Sequence, residues 1–246
     1  MTFRVAGILI ALLLAPLASA QDAFVVPNSS EAVEGDSNNT IPFASDGGDV
    51  RYQQVYLDDE IPPGPFTIYG IAFRPDALEG SFGLVIPDVD VSLGITEQGT
   101  SLNPEFALNV GLQTLVASGP LALASAASGP GGGPLDFDIE IWFDQPFAYE
   151  GGNLLLDVSV QPYESSGTPL FDAVNLGMDP VGRAFSAGAS GGSVDATSGT
   201  TDTQGLVTQF MLAPEPAGSA VAGLAALAAL LRARRRGLRA ASGAKF

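Results

Sequence analysis

The run Asp136-Phe137-Asp138-Ile139-Glu140-Ile141-Trp142-Phe143-Asp144 sets the strongest limit on what this chain can fold into. Phe137, Ile139, Ile141 and Phe143 recur at every second residue with acids between them, and only an extended strand gathers such a row on one face. Wound into a helix, the same residues would scatter around the axis. The same period recurs at Val89, Val91, Leu93 and Ile95, set against Asp88, Asp90 and Ser92, and at Leu154, Leu156, Val158 and Val160, set against Asp157 and Ser159. Further strands are expected over 51–57, 67–73, 106–110, 120–124, 170–174 and 206–212, separated by Gly, Pro, Ser and Asn clusters. Between residues 21 and 213 no helical period competes, so the expected fold is all-β: one antiparallel β-sandwich with jelly-roll-like topology. The stretches 28–39, 125–134 and 186–205 read as linkers or loops.

The chain contains no cysteine and no histidine. That removes disulfides, thiolate nucleophiles, Cys/His zinc sites and every Ser-His or Cys-His base arrangement, so stability must come from core burial. Net charge is −17, and it is unevenly spread. Arg4, Arg232, Arg234, Arg235, Arg236, Arg239 and Lys245 lie near the two ends, leaving Arg51, Arg74 and Arg183 against 26 acidic residues between 21 and 213. A region with 23 net negative charges repels a phosphate backbone, which excludes nucleic acid as a partner.

Both ends read as routing segments. Met1 to Ala20 carries Arg4, an apolar stretch over 5–14, Pro16, and Ala18-Ser19-Ala20 before Gln21, the order of a secretory signal peptide. Export machinery is therefore an expected partner, with cleavage after Ala20, and the apolar run is too short to serve well as a lasting anchor. At the other end Pro214-Glu215-Pro216 resists helix, 217–231 is uncharged, and Arg232 is followed by Arg234-Arg235-Arg236. The arginines would stay cytoplasmic and leave the preceding domain outside. A transmembrane helix over 217–231 covers about 22 Å, short of a hydrocarbon core of about 30 Å, so its hold should be marginal.

Pro-Glu-Pro, short apolar span and arginine-rich end, in that order over 214–239, resemble the sorting signal of PEP-CTERM proteins. The resemblance implies recognition by an exosortase, a membrane-embedded processing enzyme, in Gram-negative-type bacteria that make extracellular polysaccharide. It implies transient anchoring in the inner membrane, then residence at the cell surface or outside the cell. An uncut tail anchor is the competing reading. The runs Arg51-Tyr52-Gln53-Gln54-Val55-Tyr56, Phe73-Arg74-Pro75-Asp76, Asp136-Phe137-Asp138-Ile139 and Gly152-Asn153-Leu154-Leu155-Leu156-Asp157-Val158 also resemble segments of one group of PEP-CTERM ectodomains, a group that lends no activity to any residue.

Asp136, Asp138 and Glu140 fall at alternate positions of one expected strand, a spacing open to the paired carboxylates of a glycosidase, but acids opposite a core face are ordinarily its solvated side. Oxygen ligands suit calcium, for which Asp88, Asp90, Asp136 and Asp138 are the main candidates and Asp58, Asp59 and Glu60 a further group; none follows the spaced Asp/Asn loop of a calcium hand. Gly131-Gly132-Gly133 lacks the Lys-Ser/Thr of a phosphate loop. Trp142 falls on the acidic side of its strand, where packing under a neighbouring loop is expected over stacking on a sugar. The expectation is a non-enzymatic exported protein of the cell surface, matrix or biofilm, with no catalytic residues and no cofactor beyond calcium, in contact with extracellular polysaccharide. The alternative is a secreted carbohydrate-binding domain or hydrolase delivered by the same tail.

Overall fold

Most of the alternating stretches of the sequence pair as strands. The computed structural model describes residues 23–43, 49–131, 133–164, 167–178, 180–187 and 192–212; the expected signal segment 1–20 with Ala18, Ala20 and Gln21, and the expected sorting tail with Pro214, Glu215, Pro216, Arg232, Arg234, Arg235 and Arg236, lie outside the described residues. In chain order the strands are β1 (Ala23–Val26), β2 (Ser37–Asn39), β3 (Val50–Tyr56), β4 (Phe66–Phe73), β5 (Phe82–Thr96), β6 (Gln113–Ser125), β7 (Ile139–Tyr149), β8 (Asn153–Val160), β9 (Phe171–Val174), β10 (Val181–Ser186), β11 (Thr200–Asp202), β12 (Gly205–Leu206) and β13 (Thr208–Leu212). They form a four-stranded sheet, β1-β13-β4-β7, a six-stranded sheet, β11-β10-β3-β8-β5-β6, and a small sheet, β12-β9-β2. Among the described residues every pairing within these sheets is antiparallel, and no helix is long and apolar enough to cross a membrane.

The two larger sheets share one core. Phe24, Ile71, Phe73, Ile139, Ile141 and Phe210 come from the first, and Tyr52, Tyr56, Val91, Leu93, Leu156 and Val158 from the second. Phe210 stacks on Phe24 at 5.0 Å and meets Tyr56 edge-on at 4.9 Å, while the Tyr56 and Thr208 hydroxyls are hydrogen-bonded at 2.9 Å. Of the expected inward rows, Val89, Val91, Leu93, Ile139, Ile141, Leu154, Leu156, Val158 and Val160 are buried, while Ile95, Phe137 and Phe143 are only half-buried at the rim of the core.

β8 departs from plain alternation because both its faces are covered. Leu155 packs with Val55, Ala184, Leu102 and Phe106 on the far side of the six-stranded sheet, beneath the loop joining β5 to β6. The strand expected over 106–110 is instead a 310 turn, Phe106–Leu108. Asn109 fixes it, accepting from Asn103 N and donating to Asn103 O and Gln53 Oε1 at 2.8 to 2.9 Å. The loop expected over 186–205 contains β11, which pairs with β10, and the stretch 28–39 contains β2. In the long β5–β6 hairpin the register slips between Ile86 and Val89, where neither Pro87 nor Pro120 can donate to the ladder; Gly119, at φ 103°, supplies the left-handed residue the bulge needs.

Without disulfides, closure between the sheets rests on these side chains. Phe210→Ala is expected to destabilise by about 3–5 kcal/mol and Tyr56→Phe by about 1 kcal/mol, read as shifts in urea midpoint at unchanged m.

Candidate functional site

Gly70, Ala72 and Arg74 alternate with core residues Ile71 and Phe73, so Arg74 emerges at the end of β4 on the outer side of the four-stranded sheet. Its side chain is nevertheless only 1% exposed. Nε and Nη2 each lie 2.6 Å from Asp172 Oδ2, Nη2 also donates to Val33 O at 2.7 Å, and the guanidinium sits 4.8 Å from the centre of the Phe137 ring. Asp172, on β9, accepts the Gly35 N–H at 2.9 Å through its other oxygen. Residue 35 must be glycine for this approach, since a Cβ there would stand 2.0 Å from Ala173 O. One guanidinium thus clasps β4, β9 and the 33–35 loop.

Carboxylates crowd the clasp. Glu34 takes the Ala77 N–H at 2.8 Å with Oε1, while its Oε2 is buried without a hydrogen-bond partner among the described residues. Burial pushes the Glu34 carboxyl above its ordinary value, against the pull of the Ala77 amide and Arg74. Burial raises Asp172 to about 6, opposed by Arg74 and reinforced by Glu34. Asp76 holds Asn38 Nδ2 at 3.2 Å and Leu78 N at 3.0 Å.

Beside the clasp opens a cleft of about 480 Å³, lined by Glu31, Arg74, Asp136, Phe137 and Gln209 together with Pro130 and Gly133 to Leu135. A larger trough of about 860 Å³ adjoins it, lined by Val33, Ala77, Ala127 and Leu135 among others. The 125–138 loop that forms one wall is stapled by two calcium candidates: Asp138 Oδ2 accepts Ala126 N at 2.8 Å, and Asp136 Oδ2 accepts the Ser128 hydroxyl at 3.1 Å. These bonds delay the strand, so β7 begins at Ile139 and Asp136 and Asp138 belong to the loop.

Asp88 and Asp90 lie elsewhere, exposed on β5, with Asp90 Oδ1 accepting the Ser118 hydroxyl at 2.6 Å. One pair therefore lies on a strand of the six-stranded sheet and the other in the loop before β7. Among the described residues no group of three or more His, Cys, Asp or Glu side chains is arranged to hold a metal ion. Trp142 corrects the expectation of packing: it is 61% exposed, its indole N–H donating to Glu140 Oε2 at 2.8 Å.

Sequence reasoning missed two buried polar centres. Asp157 reads as a solvated acid, yet its side chain is 2% exposed and holds Arg51 Nη2 at 2.5 Å and Gln53 Nε2 at 2.9 Å beneath the β5–β6 loop. Arg74 and Asp172 meet across 98 residues. The available signal was scarcity, because Arg51, Arg74 and Arg183 are the only basic residues of the region and each is paired to an aspartate, Asp157, Asp172 and Asp202 respectively. Compared with known proteins, the chain matches no family model, no curated protein and no solved structure.

The raised Asp172 carboxyl makes stability depend on pH. The folded domain holds this proton more tightly than the unfolded chain, so the contribution is full below about pH 4 and is lost as pH rises to about 6. The difference in unfolding free energy between the wild type and Asp172→Asn is expected to fall over that window and level off above it. Arg74→Met at pH 7, which leaves Asp172 buried and unpaired, should cost about 3–5 kcal/mol in the same urea titrations.

Proposed function

We propose that residues 21–213 are the ectodomain of an exported, non-enzymatic protein of the cell surface or extracellular matrix, cut from its signal peptide after Ala20 and sorted through the 214–239 tail by an exosortase. The observation that carries this reading is the pairing of the first strand with the last. Ala23 lies opposite Met211, so the chain enters and leaves the domain at one edge, two short steps from Gln21 and Pro214. A domain whose two ends leave from the same place can be held at one membrane through both of them until the signal peptide is cut. The three ion-paired arginines support the same reading, because they leave the free surface acidic and soluble.

The fold we assign is a jelly-roll sandwich, and strand order supports it. Counting β1, β3, β4, β5, β6, β7, β8 and β13 as the eight principal strands, the sheets read 1-8-3-6 and 2-7-4-5, the order of two interlocked Greek keys. β9 to β12 then form an insertion before the last strand, and β10 and β11 extend the larger sheet.

Calcium is the cation this reading allows, at exposed oxygen ligands such as Asp88, Asp90, Asp136 or Asp138 completed by carbonyls and water. Thermal midpoints measured with calcium and with chelator should differ, and identical midpoints would remove the ion from the account. The sorting reading is tested by intact mass of the surface protein from its own host. The mature species should begin at Gln21 and end near Pro214-Glu215-Pro216, and alanine at those three positions should leave the precursor uncut. Wild-type protein that still ends at Phe246 at steady state would make the tail a plain anchor.

A further inference from the structure

We propose that the outer face of the four-stranded sheet, from Trp142 to the cleft at Arg74, is a binding site for a neutral polysaccharide chain. The inference stands whether or not the tail is cut.

Register assembles the face. Trp142 lies opposite Gly70, which lies opposite Met211; one step along the strands, Glu140 lies opposite Ala72 and Ala72 opposite Gln209; Arg74 follows just past the end of β4. Gly70 and Ala72 are themselves buried, so the groups a ligand can reach along this path are the flanking side chains of Trp142, Glu140 and Gln209. Two residues of strand advance about 6.6 Å, so the path from the Trp142 row to Arg74 is about 13 Å, longer than a single sugar ring. At one end the indole is exposed yet already ordered by its bond to Glu140. The Met211 methyl fills the space where a Gly70 Cβ would stand, 2.5 Å from that point, and Tyr69, 39% exposed, emerges from the neighbouring irregularity in β4. At the other end Phe137 lines the cleft together with the Gln209 amide and the Glu31 and Asp136 carboxylates.

A pyranose presents C–H faces and hydroxyl edges, and this site presents aromatic faces beside amide and carboxylate groups. An ordered aromatic on a rigid strand loses little freedom on stacking. Charge selects among polymers. Arg51, Arg74 and Arg183 are each engaged by an aspartate, so no unpaired cation among the described residues can receive an anionic chain. Glu31, Asp136, Glu140 and Asp144 line or flank the path, which repels uronates and also a second copy of the same face.

Trp142 is the only tryptophan, so its emission reports this face alone. Residues 21–213, which include the compact unit Asp22–Ala213 and its core, would be titrated with linear neutral glucan, mannan and galactan oligosaccharides as disaccharide and hexasaccharide, and with oligogalacturonate and oligolysine. At least one neutral hexasaccharide should blue-shift the emission and protect it from acrylamide, its disaccharide doing so more weakly and oligogalacturonate not at all. In affinity electrophoresis through the matching neutral polysaccharide, Trp142→Ala should weaken retardation about tenfold and Gln209→Ala several-fold, with Trp142→Phe intermediate and all three retaining the wild-type circular dichroism spectrum. Silence toward every neutral oligosaccharide overturns the proposal, as does a response to oligogalacturonate or oligolysine alone. A shift that tracks protein concentration, with a dimer by light scattering, overturns it in favour of self-association.

Discussion

Phe210 is where the fold closes. β13 is the last strand described, yet it lies between β1 and β4, and its inward phenylalanine touches Phe24 from the first strand and Tyr56 from the opposite sheet. No covalent link secures this closure, because the chain has no cysteine. The strands on either side are separated from β13 by most of the domain's length, so their contacts are long-range and expensive in chain entropy until formed. Apolar contact and the Tyr56–Thr208 hydrogen bond must then stabilise an arrangement that local sequence cannot nucleate.

Buried polar groups complement that core by fixing which strands meet. Gln54 both donates to Leu206 O and accepts from Leu206 N, at 2.9 and 2.8 Å, bonding β3 to β12 almost as another strand would. Arg183 grips Asp202 with two nitrogens and reaches Gln204, whose amide in turn donates to Ser37 and Asn38. Such contacts add little net energy when satisfied but penalise every register that would leave them unmatched. They tie the small sheet to the larger one in a single register, at β12 through Gln54 and at β2 through Gln204. A shift of one residue in β3 would exchange Gln54 for Gln53 and send each to the wrong side.

What the sequence made legible follows from periodicity. The rows at 89–93, 139–141 and 154–160 announce their buried faces because each strand presents its apolar side to one common core. Burial on a second face is not announced in that way. Asp157 carries the same alternation as a solvated acid, and its fate depends on Arg51 and Gln53 arriving from a strand more than 100 residues earlier. The turn at Phe106–Leu108 was hidden for a similar reason: Asn109, itself unremarkable in sequence, overrides the strand preference of its neighbours by tying the backbone to Gln53. The cleft was partly legible. Trp142 on the acidic side of its strand was visible as an anomaly, whereas Gln209, Arg74 and Phe137 become neighbours only when β13, β4 and β7 align.

Charge separates the inside of this domain from its outside. All three arginines between 23 and 212 are used in ion pairs, two of them with aspartates that are almost wholly buried. Leaving a carboxylate buried without its guanidinium would be costly, so these pairs commit the cations to structure and withdraw them from any role in attracting a partner. Most of the other described acids face water, where mutual repulsion keeps copies of the domain apart. A surface of that kind can hold a partner closely only where contact does not depend on countercharge. On the four-stranded sheet the exposed indole of Trp142, fixed by Glu140, supplies such contact, and the carboxylates around it then act as hydrogen-bond acceptors for uncharged hydroxyl groups instead of as sites for ions.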